Sequence, residues 1–295
     1  MGVIEVDPYK FEAFISILSI ENKPPETIRT YRKCIKKYSN FIELNKTTVS
    51  TDSCLRFLVN MVQVEKLKPA TVKLYMIILK RYFKYVVIPF PVMKLPNVPL
   101  GPPVFIEKED FQKLYDATSG NALLRSQLSM CYSAGLRITE LCTRKAKDVD
   151  LAKRRVFVGG KTGPETDAWI PLSDSAVRDA IDYLADRAKR GLPQLEPEDY
   201  FFHRNGDQQE AFSTSTLESH IYALCDSIGM KRKSWHKVRH SRATHLREDD
   251  VRMEDIKDLL RHKSIKTTER YARTDTEKLR TKIQGRGELD DTPVS

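Results

Sequence analysis

No stretch of about 18 consecutive apolar residues occurs in the chain, so no bilayer-crossing helix is expected. The opening residues, MGVIEVDPYKFEAF, carry no basic segment ahead of an apolar one, which argues against a secretory leader. The Met-Gly start does not continue into the Ser or Thr that a myristoylation signal wants. Cysteine is sparse: Cys34, Cys54, Cys131, Cys142 and Cys225 are odd in number, scattered, and include no C-x-x-C pair. That spacing builds neither a zinc site nor a disulfide framework and reads as reduced, mostly buried thiols of a cytoplasmic protein. Internal repeats and low-complexity tracts are absent. No metal and no cofactor is expected.

What is present is length and positive charge. The chain has 295 residues, 40% hydrophobic and 31% charged, enough for two domains with a core each. The net charge of +10 is uneven. Residues 1–95 hold 16 Lys and Arg against 8 Asp and Glu, and residues 96–295 hold 34 against 32. A basic N-terminal third on a balanced remainder suggests a module that grips a polyanion; the bland alternative is a lysine-rich solubilising surface.

Apolar spacing predicts four helices in that third. Residues 8–20 carry Phe11, Phe14, Ile15 and Leu18 on one face. A second helix from Pro25 carries Ile28, Tyr31, Ile35, Tyr38 and Ile42, with Arg29, Arg32, Lys33, Lys36 and Lys37 opposite. A third, 52–65, carries Leu55, Leu58, Val59 and Val62, with Asp52 or Thr51 as its cap. A fourth, 69–87, carries Val72, Tyr75, Leu79, Phe83 and Val86, with Lys73, Lys80, Arg81 and Lys84 among them. Six prolines in residues 89–105 then predict an extended linker, placed at 96–104 between a domain at 1–95 and another at 105–285.

The second domain is expected to be mixed α/β. Helices are predicted at 107–118, 121–134, 137–144, 173–190 (Val177, Ile181, Leu184 inward), 213–228, 236–247, 252–261, 264–272 and 275–284. Residues 155–172 read as strand, loop, strand, with Gly160 and Gly163 flanking Lys161. Tyr200-Phe201-Phe202 reads as a short buried segment, and 286–295 as a flexible tail.

Residues 234–273 hold His236, Arg239, His262 and Tyr271. His236 and Arg239 are three apart and share a helix face. A phenol can attack phosphorus, a guanidinium fork can bind non-bridging oxygens, and an imidazole can move a proton. No metal is needed for such chemistry where fixed cations surround the phosphate.

The order Ala134-Gly135-Leu136-Arg137-Ile138-Thr139-Glu140-Leu141, Gly160-Lys161-Thr162-Gly163, His236-Lys237-Val238-Arg239-His240, Leu260-Arg261-His262 and Tyr271 resembles the tyrosine recombinases, the phage integrases and Xer-type resolvases. The similarity covers nearly the whole chain. It implies a four-helix core-binding domain and a mostly α catalytic domain with a small β-sheet or hairpin. It further implies that Tyr271 attacks the scissile phosphate of double-stranded DNA to form a 3′-phosphotyrosyl link, with no ATP required. Arg137 and Arg239 would clamp the non-bridging oxygens and Lys161 would protonate the departing 5′ oxygen. His236 and His262 would assist, and Glu140 would orient the site. The basic residues Arg29, Arg32, Lys33, Lys36, Lys73, Lys80, Arg81 and Lys84 would grip DNA. Four protomers would act on two sites through a Holliday junction, and the absence of a long arm-binding segment leans toward the Xer-like plan.

Other readings stand beside these. Arg137 pairs with Glu140 in any helix; Lys153 and Arg154 compete with Lys161; His236 and Arg239 could simply cap a helix. His240 and His245 suit packing or hydrogen bonding within theirs, and His203, His220, Tyr200 and Tyr222 lie outside any motif. A type IB-like topoisomerase, or a DNA-binding accessory protein without catalysis, uses much of the same sequence. Two departures from the family pattern are visible. Arg261 stands where Gly is common, as an added DNA contact or an altered turn, and the loop after Lys161 lacks basic residues.

Overall fold

Two of the first four helices begin on proline, Pro25 and Pro69, where the missing N–H has no partner to lose. The computed structural model describes residues 8–98, 104–159, 167–204 and 207–261. The chain divides into two compact units, Met1–Leu100 and Gly101–Ser295.

The first unit is four helices: α1 (Pro8–Ile20), α2 (Pro25–Leu44), α3 (Thr51–Gln63) and α4 (Pro69–Tyr85). Its core takes the expected Phe14, Ile15, Leu18, Ile35, Tyr38, Ile42, Val72, Tyr75, Leu79 and Phe83. Helix α3 departs from expectation. It turns Ser53, Cys54, Phe57, Leu58 and Met61 inward and leaves Leu55, Val59 and Val62 exposed. The aromatic area of Phe57, 5.2 Å from Tyr38 and 5.3 Å from Phe41 between ring centres, outweighs three smaller aliphatics. Ser53 can face the core because Tyr38 Oη lies 2.8 Å from its Oγ.

The α3 cap is Ser50, not Asp52 or Thr51. Its Oγ accepts from Ser53 N–H while Ser53 Oγ accepts from Ser50 N–H, a reciprocal capping box. Asp52 sits inside the first turn and pairs with Arg56. Ser50→Ala should cost about 1 kcal/mol of stability in this unit, read as a lower urea midpoint with unchanged slope; an unchanged midpoint would show the box contributes nothing.

The second unit is built on α6 (Ala122–Ala134), buried along most of its length and packed on α8 (Asp174–Lys189) and α10 (Trp235–Glu248). Around them lie α5 (Lys108–Asp116), α7 (Ile138–Cys142), α9 (Thr214–Ser227) and α11 (Met253–Leu260). A three-stranded antiparallel sheet runs β1 (Val149–Asp150), β2 (Arg155–Val158), β3 (Ala168–Pro171), with Val156 opposite Ile170. A second pair, β4 (His203–Arg204) and β5 (Asp207–Ala211), follows the buried Phe201 and Phe202. This is the mostly helical fold with small sheets that the sequence predicts.

On helix α8 the expected Val177 and Leu184 pack against the core, but the fully buried positions are others. Ala176, Asp179, Ala180, Tyr183 and Arg187 are buried, and Ile181 is exposed. Two alanines let α8 lie close to α6. Asp179 accepts from Tyr115 Oη at 2.8 Å and Arg125 Nε at 3.3 Å, and Arg187 donates through Nη2 to the Pro193 carbonyl at 2.7 Å, while its Nη1 has no partner among the described residues. All five cysteines are buried and unpaired, as expected, and burial pushes the Cys54 and Cys142 thiols up to about 12. His245 bonds outside its own helix, to Tyr132 Oη at 2.7 Å and the Ile106 carbonyl at 3.0 Å. The helices predicted at 264–272 and 275–284, and the tail 286–295, lie outside the described residues. No described helix is long and apolar enough to cross a membrane.

Candidate active site

Gly135 follows α6 in the left-handed region, φ 56°, ψ 42°. A Cβ there would stand 2.8 Å from Leu260 Cδ2, so the position needs glycine for its conformation and for space. The turn delivers Arg137 in extended conformation at the head of α7. Three residues on, Glu140 folds back. Its Oε2 accepts from Arg137 N–H and its Oε1 from Arg137 Nη1, both at 2.7 Å. The Arg137–Glu140 salt bridge therefore exists, and the arginine side chain stays about one-third exposed at 34%.

Helix α10 starts at the capping Ser234, whose Oγ accepts from Lys237 N–H. Trp235 is fully buried and its Nε1–H donates to the Leu217 carbonyl at 2.7 Å, which pins the first turn of α10 to α9. One turn later Arg239 is buried. Its guanidinium donates to the carbonyls of Gly135 and Leu260 and lies 3.9 Å from Glu140. Arg239 thus joins the ends of α6 and α11. A guanidinium has five N–H donors, so two carbonyls do not exhaust it.

Arg261 completes the group, with Nη2 2.7 Å from Glu140 Oε2. Three guanidiniums, Arg137, Arg239 and Arg261, therefore face one carboxylate, an excess of two positive charges in a largely buried cluster. Burial pushes the Glu140 carboxyl up. The charge of Arg261, the N–H and charge of Arg137 and the charge of Arg239 outweigh it and hold the carboxyl below its ordinary value. Such a cluster of fixed donors suits an anion that spreads charge over several oxygens.

His236 is exposed on the first turn of α10, its ring 4.3 Å from that of His240. It and Arg239 lie about 60° apart around the axis, so one faces outward while the longer side chain reaches inward. Lys161, His262 and Tyr271 lie outside the described residues. The ends of the segment carrying Lys161 are described: a Cβ on Gly159 would come within 2.6 Å of the Asp167 carboxylate, so the two ends run close together. Arg144, which sequence reading passed over, ties this hairpin to α7. Its Nε donates to the Glu140 carbonyl at 2.9 Å and its Nη1 to the Phe157 carbonyl at 2.7 Å. On the outer side, Trp169 is 41% exposed, packs on Phe157 and carries the Arg155 guanidinium 4.2 Å above its ring. Among the described residues no group of three or more His, Cys, Asp or Glu is placed to hold a metal ion.

The basic residues of the first unit divide into two kinds. Arg29 pairs with Glu26, Arg32 with Glu12 and Arg81 with Glu21. Lys33, Lys36, Lys80 and Lys84 are exposed and Lys73 is half-buried; these five make no ion pair among the described residues. Exposed pairs are worth little, but each must be broken or shared before its arginine meets a phosphate, whereas the lysines are available at once.

The family model described as "Phage integrase family" matches residues 104–278, and "Phage integrase, N-terminal SAM-like domain" matches residues 11–88. Tyrosine recombinase XerA of Pyrococcus horikoshii is 30% identical over 278 residues, covering 92% of each chain. Among solved structures, the XerH site-specific recombinase bound to palindromic difH substrate in a post-cleavage complex matches with a TM-score of 0.70 at 19% identity, covering 95% of this chain and 89% of that one. A lambda integrase tetramer bound to a Holliday junction matches with a TM-score of 0.66 at 18% identity, covering 87% and 77%. The family model spans more than half of the sequence, on the fold and arginine cluster described above, and the chain belongs to the phage integrase family, the tyrosine recombinases.

Proposed function

We propose that the chain cleaves and rejoins double-stranded DNA at specific sites through a covalent 3′-phosphotyrosyl intermediate. The observation that carries the reading is the buried cluster in which Glu140 holds Arg137 and Arg239 side by side. Tyr271 Oη attacks the scissile phosphorus, a P–O bond to tyrosine forms, and the P–O5′ bond breaks. The phenol has an ordinary pKa near 10, so it needs a base or a cationic pocket; His236 or His262 takes its proton. Lys161 gives a proton to the leaving 5′ oxygen. Arg137 and Arg239 stabilise the charge on the non-bridging oxygens. The bond energy stays in the tyrosyl ester, so rejoining needs no ATP. Strand exchange then runs through a Holliday junction held by four protomers on two sites, as the tetramer of lambda integrase on such a junction suggests. The relatives above are recombinases and integrases, which favours strand exchange over topoisomerase-like relaxation.

The test is a nicked DNA substrate that traps the protein on its 3′ end, followed by mass spectrometry of the attached peptide. The expected adduct is on Tyr271. Supercoil relaxation by a monomer with no recombinant product would replace this reading with a topoisomerase, and no adduct on any site would leave a DNA-binding protein. The unpaired lysines are expected to supply most of the non-specific grip. Lys36→Ala or Lys80→Ala should each lower the slope of log Kd against log salt by about 1, and Arg29→Ala by less. Equal slopes for all three would show that the Arg29–Glu26 pair does not matter.

A further inference from the structure

Seven described residues other than glycine have positive φ: Asn22, Lys46, Lys66, Val87, Arg154, Asp250 and Arg261. The first six are exposed, at turns where solvent tolerates almost any side chain; Arg261 alone is buried. It closes α11 at φ 53°, ψ 48°, a conformation that crowds the Cβ of any L-residue. Its side chain carries two further costs. Burial lowers the affinity of its guanidinium for a proton, and its Nε–H has no hydrogen-bond partner among the described residues. Three unfavourable features on one residue persist only when the surroundings hold it there.

The surroundings are the candidate active site itself. The last peptide of α11, between Leu260 and Arg261, is fastened from three directions. Arg239 donates to the Leu260 carbonyl. The Leu260 side chain fills the space left by the missing Cβ of Gly135. Arg261 reaches back through Nη1 to the Leu259 carbonyl at 2.9 Å and through Nη2 to Glu140 at 2.7 Å. The carboxylate that holds Arg137 and faces Arg239 therefore also fixes the end of α11, and the next residue in the chain is His262. A glycine would take the left-handed turn without crowding but would leave α11 tied to Glu140 by nothing of its own.

We infer that Arg261 is a positioning residue: its ion pair with Glu140 fixes the left-handed end of α11 and, through that one carboxylate, keeps Arg137 and Arg239 in register. The inference rests on the recombinase reading above. Misplacement of a catalytic group by about 1 Å costs on the order of 10²-fold in rate. Arg261→Gly should therefore bind DNA within about twofold of native yet form the covalent adduct, in single turnover, about 10- to 100-fold more slowly. Arg261→Lys, which can still reach a carboxylate with one ammonium, should recover most of that loss, a rescue that filling of space alone does not give. In a Glu140→Gln background, Arg261→Gly should add less than about twofold, because residues that act through one another are not additive. Adduct formation by Arg261→Gly within about twofold of native, or full multiplication of the two losses in the double variant, overturns the inference. Native protein on the same substrate is the reference. No adduct from native removes the recombinase reading and this inference together, whereas a fast native beside a fast Arg261→Gly removes only the inference. If Arg261→Gly does not fold, the Arg261→Lys and Arg261→Met pair decides it: lysine faster than methionine supports the ion pair, and equal rates overturn it.

Discussion

Glu140→Ala protein is expected to lose about 3–5 kcal/mol of stability and most of its ability to form a covalent adduct. The stability loss follows from what is left behind. Arg137, Arg239 and Arg261 share this one carboxylate within a largely buried cluster, and removing it leaves the buried guanidiniums of Arg239 and Arg261 with carbonyl partners but no counter-charge. The activity loss follows from geometry, because Arg137 is held at both its N–H and its guanidinium by the same side chain. Glu140→Gln separates charge from shape. Its amide can still accept from the Arg137 N–H, so it should fall between native and alanine. The pH dependence has a definite sign. The folded carboxyl titrates below its ordinary value of 4.5, so its contribution is complete above about pH 4.5 and is lost as pH falls through the folded value. The native advantage over Glu140→Gln should accordingly be full at pH 7 and shrink on acidification below that point. An advantage that grew on acidification would mean the carboxylate is not what holds the cluster.

Arg239→Lys should reduce adduct formation by about 10² to 10³ although the charge is kept. A single ammonium cannot span the two carbonyls of Gly135 and Leu260 and face Glu140 at once, as the planar fork does. One of those buried carbonyls then loses its donor, so the thermal midpoint should fall as well. Rates should be compared at a temperature where both proteins are folded, which separates the loss of the donor from the loss of the fold. A lysine variant within about tenfold of native would take Arg239 out of the phosphate site and leave it a purely structural brace.

Most of the helices can be read from apolar spacing, because α1, α2 and α4 bury large side chains at that spacing. The reading fails where inward residues are small or polar. On α3 the inward face includes Ser53 and Cys54, and on α8 it includes Ala176, Asp179, Ala180 and Arg187. A count of aliphatics misses both, since the deciding terms are close helix approach and hydrogen bonds from distant residues such as Tyr115. The β4–β5 pair had a local signal, Asn205-Gly206 in the sequence between the two strands, of the kind that favours two-residue hairpins. Of the proposed catalytic residues, Arg137, Glu140, His236 and Arg239 are recognisable from motif order, as are Lys161, His262 and Tyr271, which lie outside the described residues. The braces Arg144 and Arg261 are not. Their partners lie 13 and 121 residues away along the chain, and no short motif records such distances.

The protein has two tryptophans, and the fold gives them opposite surroundings. Trp235 is sealed at the root of α10, with its indole N–H bonded to the Leu217 carbonyl. Trp169 lies on β3 beside the segment that bears Lys161, partly in solvent and under the Arg155 guanidinium. The molecule therefore carries an intrinsic optical reporter on each of two arms that bear proposed catalytic residues. Blue emission shielded from acrylamide belongs to the arm of Arg239, and redder, quenchable emission to the arm of Lys161. Replacing either indole with phenylalanine isolates the other, so the motion of each arm on meeting DNA can be followed in a stopped-flow trace without attaching a label.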